Sequence, residues 1–345
     1  MLVNTYHITK DGHVSEITLK PHTSPAMTNE TTDESIPDLF ARIQSELPLD
    51  ILKRKLVIGV GVGSGRGFYE GLARCGVSNF LFMDHDYAED VNVATQHSTV
   101  SEIGKRKVNA LKERILDINP LANVTAVSLK LDDDLSDEGF ESLIGEQLVT
   151  HPTDILICGL TDSFQAQART ANLAMKYGTL YLAAQLYAGG EGGEVYFSYP
   201  GVTNNSCPRC ALGSRYDAYE AGFQNNVTSS ASDFFSSLRM NSIEGKIALM
   251  LLMYHEGEHS RYNNMLDTVA DRNFVQVRMS PFVGEHLGLH VFDRTITSDY
   301  GFFDDTVWIP QVPNNEANGF KTCPLCGGTG DLLALKGSIV DTREV

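Results

Sequence analysis

Four of the six cysteines stand in two C-x-x-C pairs, Cys207-Pro208-Arg209-Cys210 and Cys323-Pro324-Leu325-Cys326. Two thiolates at that spacing grip one ion from the same side, and two such knuckles supply the four ligands of a tetrahedral zinc site. A redox dithiol is the competing reading. The pairs lie far apart in the chain, so a closed Cys207, Cys210, Cys323, Cys326 site would staple the C-terminal segment to the domain carrying the first knuckle. Cys75 and Cys158 fall in a helix and an apolar strand, where cysteine acts as a small buried hydrophobe.

A second chemical signal is the run Gly59-Val60-Gly61-Val62-Gly63-Ser64-Gly65-Arg66-Gly67. After a buried strand and before a helix, glycines let backbone amides and a helix N-terminus approach a phosphate, and an acidic residue about twenty positions on can hold ribose hydroxyls. Asp84 has that position. A strict G-x-G-x-x-G is absent, because Ser64 or Arg66 takes the last place. By itself the run fits a nucleotide site, first of all that of an NAD-dependent dehydrogenase, or merely a glycine-rich turn.

The elements that must position these residues alternate. Leu56-Val57-Ile58 reads as a strand, Phe68 to Ala73 as a helix and Asn79 to Met83 as a strand, which is the β-α-β opening of a parallel sheet. Helix Lys107–Ile118, stopped by Asn119-Pro120, strand Val124–Leu131, a helix reaching Leu148, strand Asp154–Cys158, helix Gln165–Lys176 and strand Thr179–Leu186 continue it. Before this core, Val3–Thr9 and His13–Leu19 flank Lys10-Asp11-Gly12 as a hairpin, and Leu39, Ile43 and Leu47 space a helix over 37–47. After it come strand Glu194–Tyr199, a polar loop over 222–230, helix Asp233–His255 and strand pieces Phe274–Met279 and Thr306–Val312. The expected division is residues 1–36, a hairpin and linker; 37–200, a nucleotide-binding α/β core of the doubly wound, Rossmann-like class; and 201–345, a strand-rich, zinc-bound part.

Residues after the second strand narrow the choice. Gly76-Val77, Asp84-His85-Asp86, Asn92 with Gln96, Gly104 with Lys107, Asn119-Pro120, Thr161-Asp162, Arg169 and the two C-P-x-C knuckles occur in the order of the ThiF/MoeB/ubiquitin-activating-enzyme family, which the chain resembles over roughly residues 38 to 330. The resemblance implies a ThiF-type sheet and ATP-dependent adenylation of the C-terminal carboxylate of a small ubiquitin-like or sulfur-carrier protein with a glycine-ending tail. It also implies roles. Gly61, Gly63 and Gly65 would form the turn, Asp84 would hold the ribose, and Asn92, Gln96 and Lys107 would face the phosphates near Asp86. Asp162 would bind Mg²⁺, and Arg42, with Arg54 behind it, would reach a neighbouring subunit's site in a homodimer.

Three departures carry consequences. Val60 and Val62 stand where the family has glycines. Thr95 replaces the arginine before Gln96, so Arg66, Lys105 or Arg106 must compensate. No cysteine lies between Ala211 and Phe235, where thioester-forming members carry one, so the adenylate would pass to a separate conjugating or sulfur-transfer protein, in a bacterial-type modification pathway. A hydroxyl of Thr228, Ser229 or Ser230 is the lesser alternative nucleophile. The tail would lie near Gly189–Gly193 under a loop over 213–232. A non-catalytic half of a heterodimer is the rival reading.

Composition bounds the partners. Charged residues make up 21% and the net charge is −17, which repels a nucleic-acid backbone. No run approaches the ~18 apolar residues of a membrane span, and the N-terminus lacks a secretory pattern, so the expected compartment is the cytoplasm.

Overall fold

Aliphatic and β-branched runs at 56–60 and 155–159 form strands in which every residue is buried, as parallel strands covered on both faces require. The computed structural model describes residues 4–8, 14–18, 37–131, 135–144, 151–223, 232–256, 260–280 and 305–343, in two compact units, Met1–Ser45 and Glu46–Val345.

In the first unit β1 (Asn4–Ile8) and β2 (Val14–Thr18) pair antiparallel, with Asn4 opposite Thr18 and Ile8 opposite Val14. The Lys10-Asp11-Gly12 turn lies outside the described residues. The helix expected over 37–47 is replaced by a 3-10 turn, Pro37–Phe40, and irregular turns. Pro48 disfavours helical geometry at Leu47, and Leu39 is 49% exposed, so the apolar spacing builds no buried stripe.

In the second unit β3 (Leu56–Val60), β4 (Asn79–Met83), β5 (Asn123–Val127), β6 (Ile155–Gly159), β7 (Leu180–Leu186), β8 (Gly192–Ser198), β9 (Phe274–Arg278) and β10 (Asp305–Ile309) form one sheet of order β10-β9-β8-β7-β6-β3-β4-β5. Strands β3 to β7 run parallel, and β8 to β10 extend the sheet antiparallel. Strands on both sides of residue 200 therefore share the sheet, and the division expected there is not one between compact units. The strand expected to reach Leu131 ends at Val127, and the helix expected to reach Leu148 is described over Asp137–Ile144, with 145–150 outside the described residues.

The chain order reverses between β3 and β6, which opens a crevice at their C-terminal ends. Helices α1 (Leu49–Leu52), α2 (Arg66–Arg74), α3 (Lys107–Ile118), α4 (Asp137–Ile144), α5 (Phe164–Tyr177), α6 (Pro208–Ala211), α7 (Gly213–Glu220), α8 (Phe234–Met253) and α9 (Ser260–Val269) complete the unit. Helix α8 packs on α2, β7 and β8, and α5 packs on β3, β6 and β7. No described helix is long and apolar enough to cross a membrane.

Arg169 of α5, 1% exposed, anchors the C-terminal segment rather than a ligand. Its guanidinium donates to the carbonyls of Leu131 and Leu135 and to Thr342 Oγ1 at 3.3 Å. Asp137 completes the latch, accepting from the Thr342 hydroxyl at 2.6 Å and from Lys176 Nζ at 2.7 Å. Burial alone would raise the Asp137 pKa, but the hydrogen bonds from Lys176 and Thr342 outweigh it and hold the carboxyl below its ordinary value. A lowered folded-state pKa stabilises the fold above the unfolded value near ~4, and that contribution is lost as pH falls through the folded value. Asp137→Asn should lower stability at pH 7 by about 1–3 kcal/mol in urea unfolding, and the gap to wild type should close below about pH 3.

Candidate nucleotide site and cysteine cluster

The glycine turn occupies the crevice because side chains would not fit there. Gly61 has φ 81°, and a Cβ on it would lie 2.5 Å from the Leu160 carbonyl oxygen and 3.0 Å from Thr161 Cα, at the end of β6. Its amide donates to Met83 O at 3.0 Å, at the end of β4. Val62, where the family pattern has a glycine, is 2% exposed and serves as core. The amides of Gly63, Ser64 and Gly65 have no acceptor among the described residues, and they lead into the N-terminus of α2. Free amides at a helix start form an anion-binding concavity.

Asp84 first serves the turn itself. Its Oδ2 accepts the Val62 amide at 3.0 Å and its Oδ1 the Asp86 amide at 2.8 Å. A carboxylate has about four acceptor sites, so capacity for ribose hydroxyls is left. Asp86 accepts from Lys107 Nζ at 2.9 Å, which brings Lys107 to this edge. Asn92 is buried in a capping box: its Oδ1 accepts the Glu89 amide at 2.8 Å, which commits that oxygen to the turn rather than to a ligand. Gln96 lies against the turn, with its buried Oε1 3.0 Å from where a Gly63 Cβ would stand.

Asp162 is exposed just after β6, and no described residue pairs with its carboxylate. The cap of α5 is Ser163, which accepts the Ala166 amide at 3.2 Å, so Asp162 has no structural capping task. An exposed single carboxylate suits Mg²⁺, which keeps most of its shell as water and phosphate oxygen. Arg42 lies in the first unit. Arg54 pairs with Glu256 and, at 3.5 Å, with Asp154.

Residues the sequence did not flag hold the turn from α8. Ser237 Oγ and Asn241 Nδ2 donate to Ser64 O at 3.2 and 3.0 Å. Glu244, on the same helix face, is buried with one carboxyl oxygen unpartnered, and burial pushes its pKa up to about 8. The spacing of these three polar residues in a long, mostly apolar helix was the available signal.

The four knuckle cysteines are buried and converge, with neighbouring sulfurs 3.6, 3.7 and 3.5 Å apart. A tetrahedron with Zn–S of about 2.3 Å has edges of about 3.8 Å, so the cluster has the size a zinc ion requires. Backbone amides of Cys210, Asn314 and Gly330 point at the sulfurs of Cys207, Cys210 and Cys326 at 3.3–3.4 Å. Such donors stabilise metal-bound thiolate. Hydrogen bonds from Cys207 and Cys210 lower the Cys323 pKa, while burial raises that of Cys207. Cys158 is fully buried, and Cys75 only partly.

Residues 40–268 match the ThiF family, two-thirds of the chain. The chain belongs to the ThiF family. It is 37% identical over 95 residues to the tRNA threonylcarbamoyladenosine dehydratase of Bacillus subtilis (strain 168), spanning 27% of this chain and 37% of that protein. It is 31% identical over 160 residues to the molybdopterin-synthase adenylyltransferase of Salmonella typhimurium, spanning 46% and 57%. The chain thus spans between about a third and somewhat over half of these curated relatives. A crystal structure of E. coli MccB with succinimide shares the fold, with a TM-score of 0.54 at 14% identity over 87% of this chain and 75% of that one.

Within this ThiF-family sheet the cations expected to compensate for Thr95 are committed elsewhere. Arg66, 3% exposed, pairs with Glu102 at 2.6 Å. Lys105 pairs with Glu113 at 2.6 Å. Arg106 lies over the Tyr87 ring and donates to His85 O at 2.5 Å. The helix start α7 and its Arg215, buried against Glu194, replace the first part of the loop expected over 213–232, and residues 224–231, with Thr228, Ser229 and Ser230, lie outside the described residues.

Elemental analysis should find one zinc per chain, and Cys326→Ser should abolish it and lower the melting temperature. Glu244 gives a second expectation. Its folded pKa of about 8 exceeds the unfolded value, so its neutral form favours the fold at low pH and the fold loses stability as pH rises towards 8. Glu244→Gln should therefore gain stability over wild type progressively between about pH 5 and 8, read by thermal melts across that range.

Proposed function

We propose that the chain uses ATP to adenylate the C-terminal carboxylate of a small ubiquitin-like or sulfur-carrier protein with a glycine-ending tail. The supporting observation is the convergence, at one crevice, of three unpartnered turn amides, Asp84, Lys107 and the exposed Asp162. In the reaction a carboxylate oxygen bonds to the α-phosphorus as the bond to pyrophosphate breaks. Both reactants are anionic, and fixed amide donors and Lys107 offset that repulsion. Bound Mg²⁺, held by Asp162, would screen the phosphate charge. The relatives' names fit: one is an adenylyltransferase, and ubiquitin-like modifier-activating enzyme 5 of Caenorhabditis elegans is 22% identical over 160 residues.

The tail would approach along the hairpin between β7 and β8. Its Gly190 and Gly193 pack tightly on Ser236 and Met240 of α8, so this edge forms a firm rim. The sequence between Ala211 and Phe235 has no cysteine, so the adenylate would pass to a separate downstream protein. In a cytoplasmic homodimer Arg42 would supply a cation across the interface. The commitment of Arg66, Lys105 and Arg106 to other partners favours one second reading, a nucleotide-binding but non-catalytic half of a heterodimer.

Pyrophosphate exchange with glycine-ending carrier proteins tests this. Exchange should depend on the tail and fall about 10²–10³-fold in Asp162→Ala. Tail-dependent exchange that is unchanged in the variant rejects the site, and ATP binding with exchange only after a second chain is added selects the heterodimer.

A further inference from the structure

We infer that Asn241 and Ser237 of α8 are positioning residues for the nucleotide phosphates, acting through the Ser64–Gly65 peptide. The inference rests on the nucleotide reading above and adds to it two residues from a helix outside the crevice. The two side chains stand one helical turn apart on one face. They are 5% and 1% exposed, and both donate to the Ser64 carbonyl, at 3.0 and 3.2 Å. A serine hydroxyl in a helix ordinarily bonds back to its own backbone. Here it reaches across to a loop, and a second donor reaches the same oxygen.

The consequence follows from peptide planarity. In a trans peptide the carbonyl and the following amide point in opposite directions. With Ser64 O held towards α8, the Gly65 N–H is turned to the other side of the turn, and it has no acceptor among the described residues. Two buried donors thus fix the aim of an anion-binding amide. The same helix braces the other side of the turn. Asn241 and His97 both crowd Gly67, with atoms 3.1 and 2.8 Å from where its Cβ would stand. His97, in the left-handed region with φ 55°, packs at a tilt against Phe234 with ring centroids 4.4 Å apart, and its neighbour Gln96 closes over Gly63.

The test compares binding of Mg–AMPPNP, a non-hydrolysable ATP analogue, with binding of adenosine, which lacks phosphates, using the full chain. Asn241→Leu, of similar shape but without the donor, should weaken Mg–AMPPNP about 10-fold and Ser237→Ala about 3-fold, with adenosine affinity unchanged. Ser237→Thr, which keeps the hydroxyl, should restore Mg–AMPPNP binding. Equal weakening of both ligands, or none for Mg–AMPPNP, overturns the positioning role; should Asn241→Leu not fold, the Ser237 pair decides alone. Wild-type protein that binds neither ligand overturns the nucleotide reading itself, a result distinct from either.

Discussion

A close approach of two backbones, the Gly61 turn against Leu160 and Thr161, is the constraint on which the site depends. The Gly61 amide reaches Met83 O, the Leu160 amide reaches Val60 O at 2.9 Å, and the Asp84 carboxylate takes the Val62 amide. The ends of β3, β4 and β6 are thereby tied at the point where the sheet order reverses. A side chain at position 61 would collide with backbone on the β6 side, with no flexible group to yield. Asp84 and Asp162 come from separate strands, and this contact brings them to the edges of one turn.

Charge allocation shapes the turn in so acidic a chain. Two cations near the turn are paired away from it, Arg66 with Glu102 and Lys105 with Glu113, and Lys107 stands at its edge on Asp86. Beside Lys107, the positive potential is that of oriented amides and the start of α2, which carry no net charge and need no buried counter-ion. Thr95 in place of the family arginine is consistent with a turn that depends on geometry more than on fixed cations, and α8 supplies that geometry from the opposite side.

The cysteine cluster ties together distant parts of the chain. It gathers the segment after β8 with the C-terminal segment, while the Arg169–Asp137–Thr342 latch fastens the last described residues across α5. Helix α5 begins directly after Asp162, so the latch fixes the element that follows that residue. Arg169 thus has its meaning in the latch. In the sequence it stood only as one position of a family pattern.

Local pattern and composition determined much of this protein. The alternation of apolar strands and helices from Leu56 to Leu186, the helix stop at Asn119-Pro120, the two cysteine knuckles and the glycine turn were all legible, because each depends on residues adjacent in the chain. The tertiary structure decided what those residues touch. It committed Asn92 to a capping box, paired Arg66 with Glu102, removed the helix expected before Pro48 and joined β8 to β10 onto the same sheet. It also placed Ser237 and Asn241 on Ser64, residues separated by about half the chain. Hydrogen-bond and charge partners are chosen among all groups that packing brings within reach, and sequence spacing carries no record of that choice.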